Sequence, residues 1–183
     1  MIIDRDGTLI EEAGYLNDLD RLVFFPYTVD AVRQLNRAGF AIVVITNQSG
    51  IARGIVSEEF VAAAHRLIAQ RLEAGGAHVD GFYYCPHHPR GIVETLRIPC
   101  DCRKPKPGLL HCAAVDLDLD LTGSFTIGDR WHDVEAGHAA GTQTILVRTG
   151  YGRSQEQERP QTAAPDAVVE NLAAAAAWIL TRR

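Results

Sequence analysis

The chain has 183 residues, of which 46% are hydrophobic and 22% are charged, so it is long and apolar enough to fold around one substantial core. The net charge of −5 argues against a general nucleic-acid surface, and no apolar run approaches the ~18 residues of a membrane span. We therefore expect one domain over residues 1–183 that uses neither nucleic acid nor membrane as a partner. The Met-Ile-Ile start is too short for a signal peptide, so we expect the cytoplasm and thiols or metal ligands in place of disulfides.

The chain opens M-I-I-D-R-D-G-T, which predicts a short first strand that ends at Asp4. Asp, Gly and Thr are ordinary turn residues, so a simple turn is one interpretation of this motif. Residues i and i+2 of an extended chain point to the same side, however, so Asp4 and Asp6 can face one small volume. Two carboxylates placed in this way repel each other, share a proton or hold a cation.

The pattern up to the middle of the chain alternates helix and strand. A helix is predicted from Thr28, which we expect to be its cap, to Gly39, and a buried strand follows in F-A-I-V-V-I-T. Ser57 is expected to cap a second helix, with two glutamates in its first turn, and D-G-F-Y-Y-C is predicted to be the next strand. Residues 85 to 103 are predicted to be irregular.

The same alternation continues to the end of the chain. Pro107 suits the first turn of a third helix that runs to about Leu117. The sequence then predicts a strand in S-F-T-I-G-D, a helix over 131–140 and a strand in T-I-L-V. After a polar stretch over 150–165 come a short strand in A-V-V-E and a last helix in N-L-A-A-A-A-A-W-I-L. Strands alternating with helices indicate an α/β fold, with a parallel sheet wrapped by helices.

Polar side chains cluster where these strands end, which is where parallel sheets bind ligands. Asp4, Asp6 and Asp129 offer oxygen ligands for a hard cation, for which we predict Mg²⁺, and Asp133 lies four residues further on. Thr46 and Asn47 offer hydrogen-bond donors. Lys104 offers a point charge, and it is one of only two lysines beside sixteen arginines. Acids, a cation and donors together suit a phosphoryl group.

Residues 85–103 contain a second possible metal site. Three thiols and one imidazole in the pattern C-x-H…C-x-C form a sound tetrahedral zinc set of Cys85, His87, Cys100 and Cys102. His88 is an alternative to His87 as the imidazole ligand. A bound zinc would organise a long loop that has little apolar content. We expect Cys112, on the third helix, to be a buried small hydrophobic residue.

Four segments in order, D-R-D-G-T, T-N-Q-S-G, R-K-P and G-D-R-W-H-D, resemble the motifs of the haloacid dehalogenase (HAD) superfamily of phosphohydrolases. Within it, T-N-Q-S-G-I-A-R-G, Y-Y-C-P-H-H-P and C-D-C-R-K-P-K-P-G are similar to the heptose 1,7-bisphosphate phosphatases. The resemblance covers about residues 4–150. It implies a three-layer Rossmann-like fold with a minimal cap, a structural zinc loop at about 85–103, and a role in nucleotide-activated heptose and lipopolysaccharide biosynthesis.

The resemblance also implies residue roles. Asp4 would attack phosphorus and form an aspartyl phosphate, and Asp6 would be the general acid and base. Mg²⁺ would be held by Asp4, by the backbone carbonyl of Asp6 and by Asp129. Thr46 and Lys104 would stabilise the phosphoryl group, and Arg103 would bind the second phosphate. The implied substrate contacts are Glu12, Ala13, Gly14, Tyr15, Thr46, Asn47, Gln48, Ser49, Arg103 and Lys104.

Two other functions stay open at this point: a histidinol-phosphate phosphatase, which shares the HAD motifs and a similar zinc loop, and a zinc-stabilised binding module without catalysis. We expect a monomer that acts on a small sugar phosphate. Arg53 is expected to support its loop, Lys106 to be solvated and Arg130 to be peripheral. The histidines without a motif are expected to be solvated or to pack, and they are His65, His78, His111, His132 and His138.

Overall fold

A computed structural model describes residues 1–158 and 164–182. The fold is built on one sheet of six parallel strands in the order β3-β2-β1-β4-β5-β6. The strands are β1 (Ile2–Asp4), β2 (Val43–Asn47), β3 (Gly81–Cys85), β4 (Phe125–Gly128), β5 (Gln143–Val147) and β6 (Ala167–Val169). The end of the polar stretch predicted over 150–165 falls partly on residues 159–163, which lie outside the described residues, as does residue 183. The boundaries of one domain over 1–183 therefore stay a prediction.

Helices cover both faces of this sheet. The helices are α1 (Thr28–Arg37), α2 (Ser49–Ala52), α3 (Glu58–Ala74), α4 (Gly108–Asp116), α5 (Trp131–Ala140), α6 (Gly152–Gln157) and α7 (Leu172–Leu180). Buried residues of α1, α3 and α7 form one core with the strands, and residues of α4 and α5 form the core on the opposite face. The predicted three-layer α/β fold is confirmed. Over the described residues, no helix is both long and apolar enough to cross a membrane.

The first strand lies in the middle of the sheet although it is only three residues long. Ile2 and Ile3 are fully buried and pack into the cores on opposite faces. β1 pairs with β2 on one side and with β4 on the other. The strand order therefore reverses at β1, and a crevice at the carboxyl ends of the strands is expected at such a reversal. Asp4 ends β1 at this crevice.

Little structure stands above the carboxyl ends of the strands, as expected for a minimal cap. Between β1 and α1 the chain forms one turn of 3₁₀-helix, Leu19–Arg21, and isolated bridges that join Ile10 to Asp6 and to Phe24. The segment between β3 and α4 contains only a second such turn, Glu94–Leu96. Both segments border the crevice.

Two predictions about α4 are wrong. Cys112 is exposed on α4 and is not a buried hydrophobic residue. Pro107 directly precedes α4 and does not lie in its first turn. By contrast, Ser57 does cap α3, since its hydroxyl accepts the backbone N–H of Phe60 at 3.1 Å. The short helices α2 and α6 were not predicted from the sequence.

Thr28 does not cap α1, because it is the first residue of the helix and Tyr27 precedes it without a side-chain capping bond. The Thr28 hydroxyl donates instead to the backbone carbonyl of Leu9 at 2.8 Å, and both residues are fully buried. This hydrogen bond attaches the loop that follows the first aspartates to α1.

We expect Thr28→Val to lower the free energy of unfolding by about 1–3 kcal/mol, because the buried carbonyl of Leu9 would lose its donor. Thr28→Ser keeps the hydroxyl and should cost less, about 1 kcal/mol for the lost methyl group. Urea denaturation monitored by circular dichroism measures both. A larger loss for the serine variant would show that packing of the methyl group, and not the hydrogen bond, is what Thr28 contributes.

Candidate active site

A pocket of about 360 Å³ opens at the carboxyl ends of the central strands. The segments that contain the sequence motifs converge on it, because β1, β2 and β4 are neighbours and each ends at this edge of the sheet. Most of its accessible lining is polar. Residues from the segment after β1, from α2, from the loop after β3 and from the start of α5 complete its wall.

Three aspartates meet at the base of this region. Asp4 ends β1, Asp129 follows β4 and Asp133 lies in the first turn of α5. Each of them places one carboxylate oxygen within 4.8 Å of the others, and all three side chains are buried. The backbone N–H of Arg130 donates to Asp133 Oδ2 at 3.1 Å, which fixes the start of the helix and the aspartate together.

Lys104 lies among these carboxylates and is itself almost completely buried. Its Nζ is 2.5 Å from Asp4 Oδ1 and 2.6 Å from Asp133 Oδ1, and it donates to the carbonyl of Ile45 at 3.2 Å. Asn47 holds the backbone of Lys104 on both sides, accepting its N–H at 3.1 Å and donating to its carbonyl at 3.0 Å. The amide of Asn47, which the resemblance assigns to substrate, is therefore engaged in placing the lysine.

Burial and crowding shift the ionisation of this cluster. Burial raises the pKa of Asp4, and the neighbouring aspartates add to the rise although Lys104 opposes it. Burial and Asp133 raise the pKa of Asp129 to about 7. Burial opposes the charge of Lys104 too, but Asp133 and Asp4 outweigh it and raise the lysine pKa. The lysine thus keeps its charge because two carboxylates face it.

The cluster suits a hard divalent cation. Asp129 Oδ1 is buried and has no hydrogen-bond partner among the described residues, whereas Oδ2 accepts the backbone N–H of Tyr151 at 2.7 Å. An unpaired buried carboxylate oxygen beside two further carboxylates is a set of ligands that Mg²⁺ prefers. Gly7 leaves room for the Asp129 carboxylate: its φ is +82°, and a Cβ there would collide with Asp129 Oδ2.

Asp6 is not among these clustered carboxylates; it lines the pocket and pairs with Arg5. The Arg5 guanidinium is buried and lies 3.0 Å from the Asp6 carboxylate. Thr46 and Gln48 donate to Asp6 Oδ2 at 3.3 and 3.1 Å. Behind Arg5 lies His65, with Nε2 at 3.4 Å from an arginine nitrogen. The predicted general acid is thus held in place by three polar side chains.

Most of the other predicted substrate contacts line the pocket, namely Glu12, Gly14, Tyr15, Thr46, Asn47, Gln48, Ser49 and Arg103. Ala13 does not line it, and its carbonyl accepts a hydrogen bond from Arg21 at 2.9 Å. Burial raises the pKa of Glu12, and the Asp6 carboxylate adds to this rise. Lys104 lies beneath the pocket, against Asp4.

The pocket wall also contains residues to which the sequence analysis gave no substrate role: Arg53, His88, Arg130, His132 and Tyr151. Arg130 was expected to be peripheral, but its guanidinium lies 3.5 Å from the centre of the Tyr151 ring and 3.7 Å from Glu12. In the sequence, the one feature that could have suggested a pocket position for Arg130 is that it directly follows Asp129. Lys106 is exposed as expected and pairs with Asp101 at 3.0 Å.

The predicted zinc residues come together in the loop after β3. One ligand atom of each of Cys85, His87, Cys100 and Cys102 lies within 4.8 Å of the others. Cys85 Sγ is 3.1 Å from Cys102 Sγ and 3.6 Å from Cys100 Sγ, and His87 Nδ1 is 3.2 Å from Cys102 Sγ. Ligands of a tetrahedral zinc ion lie roughly 3.5–3.8 Å apart, so the four atoms suit such an ion after small adjustments.

Two further observations bear on this cluster. Burial and the neighbouring thiols raise the pKa of Cys102, and a bound cation would oppose this rise by stabilising the thiolate. His88, the alternative ligand, lies outside the cluster, because its Nδ1 accepts the backbone N–H of Arg90 at 3.0 Å and its Nε2 faces Arg53 at 3.2 Å. His87 is therefore the imidazole that the fold brings to the three thiols.

A parallel sheet whose strand order reverses at β1, with aspartates at the reversal and a buried lysine between two of them, matches the class of HAD-type phosphohydrolases that the sequence motifs resemble. The HAD-hydrolase-like family matches residues 101–175. A D-glycero-β-D-manno-heptose-1,7-bisphosphate 7-phosphatase of Escherichia coli (strain K12) is 42% identical over 174 residues, which cover 94% of this chain and 89% of the relative. The chain belongs to the family of these heptose bisphosphate phosphatases.

Other comparisons agree. The enzyme of the same name from Pasteurella multocida (strain Pm70) is 42% identical over 151 residues, or 82% of each chain. The crystal structure of a D,D-heptose 1,7-bisphosphate phosphatase from B. bronchiseptica, complexed with magnesium and phosphate, superposes with a TM-score of 0.88 at 33% identity. That comparison covers 100% of this chain and 98% of the other.

We expect Lys104→Met to lower the free energy of unfolding by about 3–5 kcal/mol in magnesium-free buffer, because Asp4 and Asp133 would lose their buried counter-charge. Lys106→Met is the matched control and should leave stability nearly unchanged, since Lys106 is exposed. Urea denaturation measures both variants. Similar losses of stability for the two variants would contradict the role of Lys104 as the buried counter-charge of Asp4 and Asp133.

We expect Cys102→Ser to reduce the zinc content and to lower the melting temperature by roughly 5 °C or more, since one kcal/mol of stability corresponds to about 2–4 °C in a chain of this size. Cys112→Ser removes an exposed thiol from α4 and should change neither quantity. Elemental analysis and calorimetry provide the measurements. Full zinc content in the Cys102 variant would remove Cys102 from the ligand set.

Proposed function

We propose that this chain hydrolyses the phosphate at C7 of D-glycero-β-D-manno-heptose 1,7-bisphosphate and releases heptose 1-phosphate. The observation that carries the proposal is the 42% identity over 94% of the chain to a relative named for this reaction and this anomer. The pocket supports it, because the residues that the family motifs assign to catalysis converge there. Such an enzyme would belong to nucleotide-activated heptose biosynthesis.

In the proposed reaction the Asp4 carboxylate attacks phosphorus in line with the departing C7 oxygen. A bond forms between Asp4 and phosphorus, and the bond from phosphorus to the C7 oxygen breaks. Lys104 supports this step in two ways. At 2.5 Å from Asp4 it stabilises the ionised carboxylate, which burial disfavours, and its ammonium would offset the negative charge of the phosphoryl oxygens. The Thr46 hydroxyl, which donates to Asp6 in the structure, would turn its proton to the same oxygens once the ester is bound.

Asp6 transfers the protons in this proposal. As an acid it donates a proton to the departing C7 oxygen, and as a base it then removes a proton from the water that attacks the aspartyl phosphate. Phosphate leaves, and the Asp4 carboxylate is regenerated. Thr46 and Gln48 hold Asp6 at the pocket wall, so its carboxyl group is oriented before substrate arrives.

Two metals accompany the proposal. Mg²⁺ would be held by the carboxylates of Asp4 and Asp129 and by the backbone carbonyl of Asp6, with Asp133 beside them, and when bound it supplies Lewis-acid stabilisation of the phosphoryl oxygens. Zn²⁺ would be held by Cys85, His87, Cys100 and Cys102 as a structural ion. Because Arg103 and Lys104 follow Cys102 directly, this loop would aim both cations.

Arg103 is the proposed contact for the second phosphate, since it lines the pocket and its guanidinium suits a phosphate. The segments 12–15 and 46–49 would contact the sugar. Histidinol phosphate is the alternative substrate, and the names of the relatives favour the heptose. A binding module without catalysis is disfavoured because every catalytic position is filled. The monomeric state and the cytoplasmic location stay predictions.

The experiment that tests the proposal measures phosphate release with Mg²⁺ from the β and α anomers of heptose 1,7-bisphosphate and from histidinol phosphate. We expect kcat/KM to be at least about tenfold higher for the β anomer than for either competitor, which corresponds to ~1.4 kcal/mol of discrimination. A preference for histidinol phosphate would agree with the proposed phosphatase reaction but would contradict heptose 1,7-bisphosphate as the substrate.

Asp4→Asn is the control in the same assay. It should reduce turnover by roughly three orders of magnitude or more, because the nucleophile is removed while the shape of the side chain is kept. Circular dichroism and the melting temperature show whether the variant is folded. Appreciable residual turnover in a folded variant would exclude Asp4 as the nucleophile.

A further inference from the structure

Three basic side chains line one wall of the pocket, where α2 meets the loop after β3. Arg53 follows α2 directly, His88 lies in the zinc-cluster loop, and Arg103 follows Cys102. His88 is buried, whereas Arg53 and Arg103 are partly exposed to the pocket. The mechanism proposed above uses only Arg103 among these three.

Hydrogen bonding fixes which nitrogen of His88 carries the proton. Nδ1 accepts the backbone N–H of Arg90 at 3.0 Å, so Nδ1 is unprotonated and the ring proton must lie on Nε2. Nε2 is 3.2 Å from a guanidinium nitrogen of Arg53, which can only donate. Two N–H groups thus face each other, and neither satisfies the other. An acceptor placed between or above them would satisfy both.

The arginines show the same lack of acceptors. Arg53 Nε is buried and has no hydrogen-bond partner within residues 1–158 and 164–182. In that part of the chain no carboxylate forms an ion pair with Arg53 or Arg103. Arg103 donates one bond, to the carbonyl of His87 at 3.3 Å. Two guanidinium groups without counter-charge beside an N–H donor form a site for an anion with several acceptor oxygens.

We propose that Arg53 and His88, together with Arg103, bind the second phosphate of the substrate, the one that is not hydrolysed. This inference rests on the proposed function, because a bisphosphate held by one phosphate at Asp4 presents its other phosphate elsewhere in the same pocket. Arg53 is then a specificity-determining residue, in contrast to the loop-supporting role expected from the sequence. His88 follows the zinc ligand His87, so the zinc cluster positions this donor.

The test compares heptose 1,7-bisphosphate with heptose 7-phosphate, which lacks the second phosphate. We expect Arg53→Met to raise KM for the bisphosphate by about 10-fold to 100-fold, the range for losing a charge-assisted hydrogen bond, and KM for the monophosphate far less. Arg90→Met is the matched control, since Arg90 lies in the same loop, is exposed and does not line the pocket. It should change neither value by more than about twofold.

His88 is tested by a pair of variants whose zinc content and melting temperature are measured first. His88→Gln keeps a side-chain N–H donor and should retain most of the affinity for the bisphosphate. His88→Leu removes the donor and should raise KM for the bisphosphate by about 10-fold. Equal effects of glutamine and leucine, with zinc retained, would exclude the donor role of His88.

The outcomes separate this inference from the proposed function. If the wild-type chain hydrolyses the bisphosphate and Arg53→Met impairs both substrates equally or neither, the assignment of Arg53 is overturned and the function stands. If the wild-type chain hydrolyses neither heptose ester, the proposed function is overturned and this subsite with it. A selective loss on the bisphosphate, absent in Arg90→Met, supports the subsite.

Discussion

The contact between the Lys104 ammonium and the carboxylates of Asp4 and Asp133 is the interaction on which the rest of the site depends. Buried carboxylates this close repel one another, and removing each of them from water is unfavourable. A neighbouring cation offsets both effects only when it lies within hydrogen-bonding distance of the carboxylates. The fold provides that geometry by fixing the lysine backbone, through the two hydrogen bonds of Asn47 at the end of β2. A lysine suits the position because its charge is compact and fits between two carboxylates, whereas a planar guanidinium is larger.

The cysteine–histidine cluster and the acidic cluster are joined along the chain by the short segment from Cys102 to Lys104. Cys102 and Lys104 are two residues apart, so whatever holds the thiols also sets the path of the chain into the acidic cluster. The loop after β3 has little apolar side-chain area to bury, and a metal can supply the folding energy that a core would otherwise provide. A zinc ion bound there, as proposed, would touch no substrate and would still influence the position of the Lys104 ammonium beside Asp4.

The sequence predicted features that depend on local periodicity and chain order, and it missed those that depend on tertiary partners. Alternation of strands and helices placed Asp4 and Asp129 at one sheet edge, and the fold confirms that placement. Thr28 was misassigned because its hydrogen-bond partner, the Leu9 carbonyl, is brought to it only by folding. Arg53 and His88 are 35 residues apart in the chain and meet only in the folded structure. The residues around each of them therefore could not predict the contact. Short helices such as α6 have too few residues to show a period.

Charge balance supports the proposal that a divalent cation joins the acidic cluster before a phosphate ester binds. Three ionised carboxylates and one ammonium leave two excess negative charges, which would repel a phosphate dianion. The chain alone reduces this excess by holding protons, since burial and Asp133 raise the pKa of Asp129 to about 7. A divalent cation would neutralise the same excess and would leave Asp4 ionised, as the proposed attack requires, whereas a proton on the cluster does not ensure this. With that cation bound, the guanidinium groups of Arg53 and Arg103 would lie near an acidic cluster without net charge, so they would attract a phosphate with less opposing repulsion.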